Sequence, residues 1–115
     1  MAYFAKKTTV DGFTFQSHAE AARYAELKLL EQAGEIIYLQ VHSPWELEKG
    51  VKIEGEARKR PPLRYVDDFY FVDAATGGEH VEDVKGKNGH MTPVFRLKQH
   101  LMQARYGISV EVVRR

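Results

Sequence analysis

The segment Val81-Glu82-Asp83-Val84-Lys85-Gly86 puts a carboxylate and a lysine two residues apart inside what reads as a buried strand. A strand sends residues i and i+2 to one face, so Val81, Asp83 and Lys85 point together while Glu82 and Val84 take the other side. Ionised side chains in a core strand are costly unless they are paired or bind a metal. Upstream, Tyr65-Val66-Asp67-Asp68-Phe69-Tyr70-Phe71 is a second apolar strand interrupted by acids, and Thr76-Gly77-Gly78 is a turn between the two. A hairpin folded about Ala75 and Thr76 sets Asp68 directly across from Asp83, which brings two carboxylates and an amine to one spot. Facing acids repel unless a divalent cation sits between them.

A chain of 115 residues, 43% hydrophobic and 11% aromatic, predicts one globular domain spanning 1–115 with one core. It contains no cysteine, so disulfides, a thiolate zinc site and a cysteine nucleophile are excluded, in keeping with a reducing cytoplasm. The apolar runs are too short to span a bilayer, and Met1-Ala2-Tyr3-Phe4-Ala5-Lys6-Lys7 lacks the core of a signal peptide, so neither secretion nor membrane insertion is expected. The net charge of +1 hides local basic clusters: Arg58-Lys59-Arg60 with Arg64, Lys85 with Lys87, and Arg96 with Lys98.

Along the chain, Thr8 to Val10 and Phe13 to Phe15 flank Asp11-Gly12 as a small N-terminal hairpin. Ser17 caps a helix to about Ala33, with Ala19, Ala22, Tyr24, Leu27 and Leu30 near helical spacing and Gly34 as the stop. Ile36 to Val41 and Trp45 to Ile53 read as strands, and Glu54 to Pro62 as a surface loop. The two acidic strands follow, Leu63 to Val72 and His80 to Lys85, then a mobile-looking Gly86-Lys87-Asn88-Gly89-His90. Thr92 caps a second helix with Pro93 at its first position, running to about Arg105, and Ile108 to Val113 is the last strand. The expected fold is α/β, with a mixed central sheet flanked by two helices.

This order, with acids on adjacent strands, resembles the PD-(D/E)xK nuclease superfamily, and nearly the whole chain takes part in the match. Four stretches, Phe15-Gln16-Ser17-His18-Ala19-Glu20-Ala21, Tyr65-Val66-Asp67-Asp68-Phe69, Val81-Glu82-Asp83-Val84-Lys85-Gly86 and Ala104-Arg105-Tyr106-Gly107-Ile108, look like a small phage and prophage family of unknown function. Members of that family are described as candidate endonucleases or Holliday junction resolvases. The resemblance implies a restriction-endonuclease-like αβββαβ core, with Glu20 on the first helix, Asp68 as the acid of the PD half-motif and Asp83 with Lys85 as the (D/E)xK half-motif. Asp67 stands where the signature has proline and is the other candidate for the first acid. Hairpin register and the Tyr-x-x-Asp-Phe match both favour Asp68.

Phosphodiester hydrolysis needs an activated water and stabilisation of charge on the phosphate, which Mg2+ or Mn2+ held by carboxylates supplies. By the resemblance, Asp68 and Asp83 bridge the ion, Glu20 helps to hold it, and Lys85 orients the attacking water or stabilises developing charge. Local explanations exist beside these. Ser17-x-x-Glu20 is a capping box, Glu82 and Asp83 beside Lys85 also fit an exposed edge-strand ion pair, and the five histidines show no ligand spacing. Arg58, Lys59, Arg60, Lys87 and Lys98 are the candidate DNA contacts, the first three on a loop expected at the end of the hairpin that carries the acids. The expectation is therefore a metal-dependent DNA endonuclease in phage DNA processing in the cytoplasm of a bacterial host. It would use no small-molecule cofactor, and would be a homodimer if a Holliday junction is the substrate, since that needs two symmetric cuts. The competing class is a non-catalytic nucleic-acid-binding or packaging accessory that keeps the nuclease fold.

Overall fold

The computed structural model describes residues 7–115; residues 1–6, on which the signal-peptide reading rests, lie outside the described residues. Strands β1 (Thr8–Val10) and β2 (Phe13–Phe15) form the N-terminal hairpin, with Asp11 (φ 52°) and Gly12 (φ 81°) supplying the two positive φ angles of a tight turn. Helix α1 (His18–Gln32) starts at Ser17, whose hydroxyl accepts from the Glu20 amide at 3.2 Å. Tyr24 and Leu27 are its buried residues, and Ala21 packs inward where the spacing suggested Ala22.

The remaining strands are β3 (Ile36–Val41), β4 (Pro44–Glu48), β5 (Leu63–Val66), β6 (Phe69–Asp73), β7 (Glu79–Lys85) and β8 (Val110–Arg114), with α2 (Pro93–Tyr106) between the last two. A four-stranded mixed sheet runs in the order β3-β6-β7-β8, antiparallel except for β7 beside β8. That one parallel pairing needs a crossover, and α2 provides it. Thr92 caps α2 by accepting from the Phe95 amide at 3.0 Å, and Gly107 ends it at φ 68°, a left-handed conformation suited to glycine.

Side-chain alternation gives the sheet two apolar faces. Phe69, Phe71 and Ile36 meet Tyr24 and Leu27 of α1, with Phe15 and Val84 beside them. Val81 and Val110 meet Phe95 and Met102 of α2, together with Leu47 and Tyr65 of the β4–β5 pair. The two helices therefore cover opposite faces, and the chain is an α/β domain with a mixed sheet between them.

The expected Leu63–Val72 strand is two strands in two sheets. At its break the Asp67 amide bonds Ser43 O (3.0 Å), whereas the Asp68 amide bonds Glu82 O (3.0 Å). Val41 faces Phe69 and Pro44 faces Val66, so the β3–β6 and β4–β5 pairings share one register and form a single bent ribbon. Likewise Trp45–Ile53 is shorter than expected, since the strand stops at Glu48 and continues only as a Val51–Arg60 bridge. Gly50 permits that bridge, because a Cβ there would lie 2.5 Å from Arg60 O. The Gly86–His90 segment is also tied down: the Gly89 amide bonds Gly86 O at 3.0 Å, and the Arg114 guanidinium donates to the Gly86 and Gly89 carbonyls. No helix among the described residues is long and apolar enough to cross a membrane.

Candidate active site

The acids collect at the end of the β6–β7 hairpin opposite the Thr76-Gly77-Gly78 turn. Phe69 faces Glu82 where the ladder ends, and the Asp68 amide also bonds Glu82 O at 3.0 Å, one residue off the register expected from the sequence, which sets Asp68 directly across from Asp83. Asp68 reaches back over the strand end, where its Oδ2 accepts from the Val84 amide at 2.6 Å. Among the described residues no hydrogen bond engages its Oδ1.

Asp83 and Lys85 point together on the α2 face. Lys85 Nζ lies 3.1 Å from Asp83 Oδ1 and 4.0 Å from the centre of the Phe95 ring, so the ammonium is held by a carboxylate and an aromatic face together. The other oxygen of Asp83 accepts from the Tyr65 hydroxyl at 2.8 Å. Tyr65 is buried, and that burial together with the charge of Asp83 drives its pKa far up, so it stays a donor. Glu82 goes to the α1 face, where Arg23 binds it through two nitrogens at 2.8 and 2.6 Å. This pair pins the pleat of β7 and with it the direction of Asp83.

Asp67 and Asp68 divide sharply in role. Asp67 is 1% exposed, and its oxygens accept from the Ser43 amide (2.7 Å) and the Trp45 indole (2.9 Å). Both bonds tie the ribbon together at its bend, so Asp67 serves the fold. Asp68 keeps a free oxygen in an acidic setting. Burial pushes its pKa up to about 7, with the Val84 hydrogen bond opposing and the charges of Glu20, Asp83 and Asp67 adding to the rise. A carboxylate so crowded by like charge is relieved by a cation.

Glu20 arrives from the first turn of α1. The Ser17 half of the expected capping box is present, but Glu20 Oε2 accepts at 3.2 Å from the Gln16 amide, one residue before the cap, and not from the Ser17 amide. The same residue approaches Asp68. Donor atoms of Glu20, His42 and Asp68 all lie within 4.8 Å of one another, and each residue is half-buried. Asp83 stands outside this group, with both oxygens engaged by Tyr65 and Lys85.

His42 has no ligand spacing with the other histidines, so the sequence alone gives it no metal role. It comes to Asp68 through the ribbon register, which sets the two opposite each other, and its amide donates to Asp68 O at 3.2 Å. A φ of 56° takes His42 out of the extended conformation, and its ring packs against Phe15 with centroids 5.9 Å apart. Register shifts at Ile37/Gln40 and Glu46/Glu48 conceal this pairing from any count along the chain.

The basic residues are spread apart. Arg64 and Lys98 line an open depression of about 330 Å³ with Tyr65, Phe95 and Thr92, next to the Asp83–Lys85 pair. Lys87 is exposed in the turn that follows β7, at the acid end of the hairpin. Arg58, Lys59 and Arg60, expected beside the acids, sit instead near the far tip of the bent ribbon. Because β5 intervenes, Arg60 lies roughly 20 Å along the strand from Val66. The Arg60 guanidinium is also bound by Glu56 at 2.8 and 2.7 Å.

The fold and these residues define an α/β domain with a Glu20–His42–Asp68 group and, apart from it, an Asp83–Lys85 pair at the end of its central strands. The chain belongs to the family described as Protein of unknown function (DUF1064), which matches it over residues 1–113. No curated protein and no solved structure matches the chain.

Proposed function

We propose that this protein is a metal-dependent DNA endonuclease that uses Mg2+ or Mn2+. The observation that carries the reading is the gathering of Asp68 and Asp83 at one end of the β6–β7 hairpin, close enough that the charge of Asp83 helps to raise the Asp68 pKa, with Lys85 3.1 Å from Asp83. The element order supports it as well. Apart from the β4–β5 pair that is inserted between β3 and β6, the order α1, β3, β6, β7, α2, β8 is compatible with the αβββαβ order that the resemblance implies.

An ion at this place would stabilise the charge that develops on a phosphodiester during attack by water. Glu20, Asp68 and Asp83 would hold it. Lys85, fixed by Asp83 and Phe95, presents a positive charge to the phosphate at the site. Arg64 and Lys98 flank the site where the DNA backbone would lie. Branched DNA such as a Holliday junction, cut by a homodimer during phage DNA processing in the host cytoplasm, is the substrate class favoured by the family resemblance.

One observation favours a second reading, in which the protein binds nucleic acid without cutting it: both oxygens of Asp83 already have partners in Tyr65 and Lys85. The deciding experiment incubates purified protein with linear, supercoiled and four-way-junction DNA in the presence of Mg2+, Mn2+ or chelator. Cleavage that needs the ion and is abolished in Asp83→Asn, with DNA binding retained, is expected. Binding without cleavage under all these conditions selects the accessory protein, and cleavage unchanged in Asp83→Asn removes the site assignment.

A further inference from the structure

We infer that His42 is a metal ligand: its imidazole, with one carboxylate oxygen each from Glu20 and Asp68, forms a three-donor site that takes Mn2+ in preference to Mg2+. The inference rests on the endonuclease reading only in that the same ion would serve cleavage.

Three separate elements bring the donors together. Glu20 comes from the first turn of α1, His42 follows β3 and Asp68 precedes β6, and their donor atoms lie within 4.8 Å of one another. Each is oriented by contacts that leave a donor available. Asp68 Oδ2 is fixed by the Val84 amide, and among the described residues no hydrogen bond engages Oδ1. Glu20 is held at Oε2 by the Gln16 amide, and its own amide is bound to Ser17. His42 is anchored by its backbone bond to Asp68 and by the Phe15 ring, and among the described residues no hydrogen bond or ion pair engages its ring nitrogens.

A half-buried imidazole left without a partner beside two carboxylates, neither of which it bonds directly, is the arrangement of donors around a shared centre. A bound ion would draw the three side chains slightly together, since first-row ions take nitrogen and oxygen donors at about 2.0 to 2.2 Å. Ion choice follows from the donors. Mg2+ favours oxygen ligands in a strict octahedron and retains its waters, whereas imidazole suits transition ions such as Mn2+ better. A site built from Asp68 and Asp83 alone would offer only oxygen. The His42 nitrogen is what distinguishes the two arrangements.

The test uses the full chain. Mn2+ and Mg2+ are titrated separately by isothermal calorimetry, and the Mn2+-loaded protein is studied by pulsed electron paramagnetic resonance for coupling to 14N. Wild type is expected to show a histidine nitrogen coupling that changes to the 15N pattern when histidine alone is labelled with 15N. His42→Gln, which keeps an oxygen donor of similar reach, is expected to lose that coupling and to bind Mn2+ at least about tenfold more weakly while its Mg2+ affinity changes little. The labelling arm needs no variant, so a folding defect in His42→Gln leaves the question decidable. Mn2+ bound without histidine nitrogen coupling overturns the inference and leaves an all-oxygen site for the endonuclease reading. Failure of both ions to bind overturns both.

Discussion

The Tyr65 hydroxyl donates to Asp83 Oδ2 at 2.8 Å, which links the β4–β5 arm to the strand that carries the motif lysine. Asp83 is thus oriented from both sides, by Tyr65 on one oxygen and Lys85 on the other. Tyr65→Phe keeps the buried ring and removes only the donor. It should cost about 1.5–3 kcal/mol of stability, the range for a hydrogen bond to a charged group. Urea unfolding measures this, and a loss below about 0.5 kcal/mol would mean that water replaces the hydroxyl without penalty.

Arg23 and Glu82 should behave as a coupled pair. The Glu82 side chain is 5% exposed and depends on the Arg23 guanidinium for its charge. Arg23→Met leaves a buried carboxylate without a partner and should destabilise the fold by about 3–5 kcal/mol, while Arg23→Met with Glu82→Leu should recover most of that loss. Denaturation of the two single variants and the double variant checks it. Additive losses would show that the pair is not coupled.

Asp68 should make stability fall as pH rises. Its folded pKa of about 7 lies above the ordinary 3.8, so the folded state holds the proton more tightly than the unfolded chain. That contribution is fully present below 3.8 and is lost as pH climbs through about 7. Between about pH 5 and pH 8 the wild type should therefore lose on the order of a few kcal/mol relative to Asp68→Asn. Thermal unfolding across this range compares the two, and parallel profiles would show that Asp68 is solvated and ionised throughout.

The DNA-facing charge should lie at Arg64 and Lys98. Both line the depression beside Tyr65 and Phe95, whereas Arg60 is bound by Glu56 on a distant stretch of ribbon. Replacing Arg64 and Lys98 with alanine should weaken binding to all DNAs about equally and flatten the salt dependence by up to about two phosphate contacts. The Arg58, Lys59 and Arg60 triple alanine variant should change that slope less. Fluorescence anisotropy over a salt series separates the two surfaces, and a larger effect from the triple variant would move the DNA to the ribbon tip.

Much of this site was legible in local pattern. Alternation along Val81-Glu82-Asp83-Val84-Lys85 gave the face of each residue, because the strand period depends only on backbone geometry. The short Thr76-Gly77-Gly78 turn set the β6–β7 register as far as Phe69 and Glu82 and so brought Asp68 and Asp83 to one end of the hairpin, whereas the off-register bond of the Asp68 amide to Glu82 O was not legible locally. The caps at Ser17 and Thr92 and the glycine stop at Gly107 were equally local. What the tertiary structure alone decided depends on longer reach. Asp67 and Asp68 are neighbours of identical chemistry, and only the packing of Ser43 and Trp45 around one of them separates the structural acid from the available one. His42 meets Asp68 through a long ribbon whose bulges each shift the register by one, so spacing in the chain carries no record of it. The break between β5 and β6 carried the Arg58-Lys59-Arg60 loop away from the acids, because the strand changed partner where a local reading sees one uninterrupted apolar run.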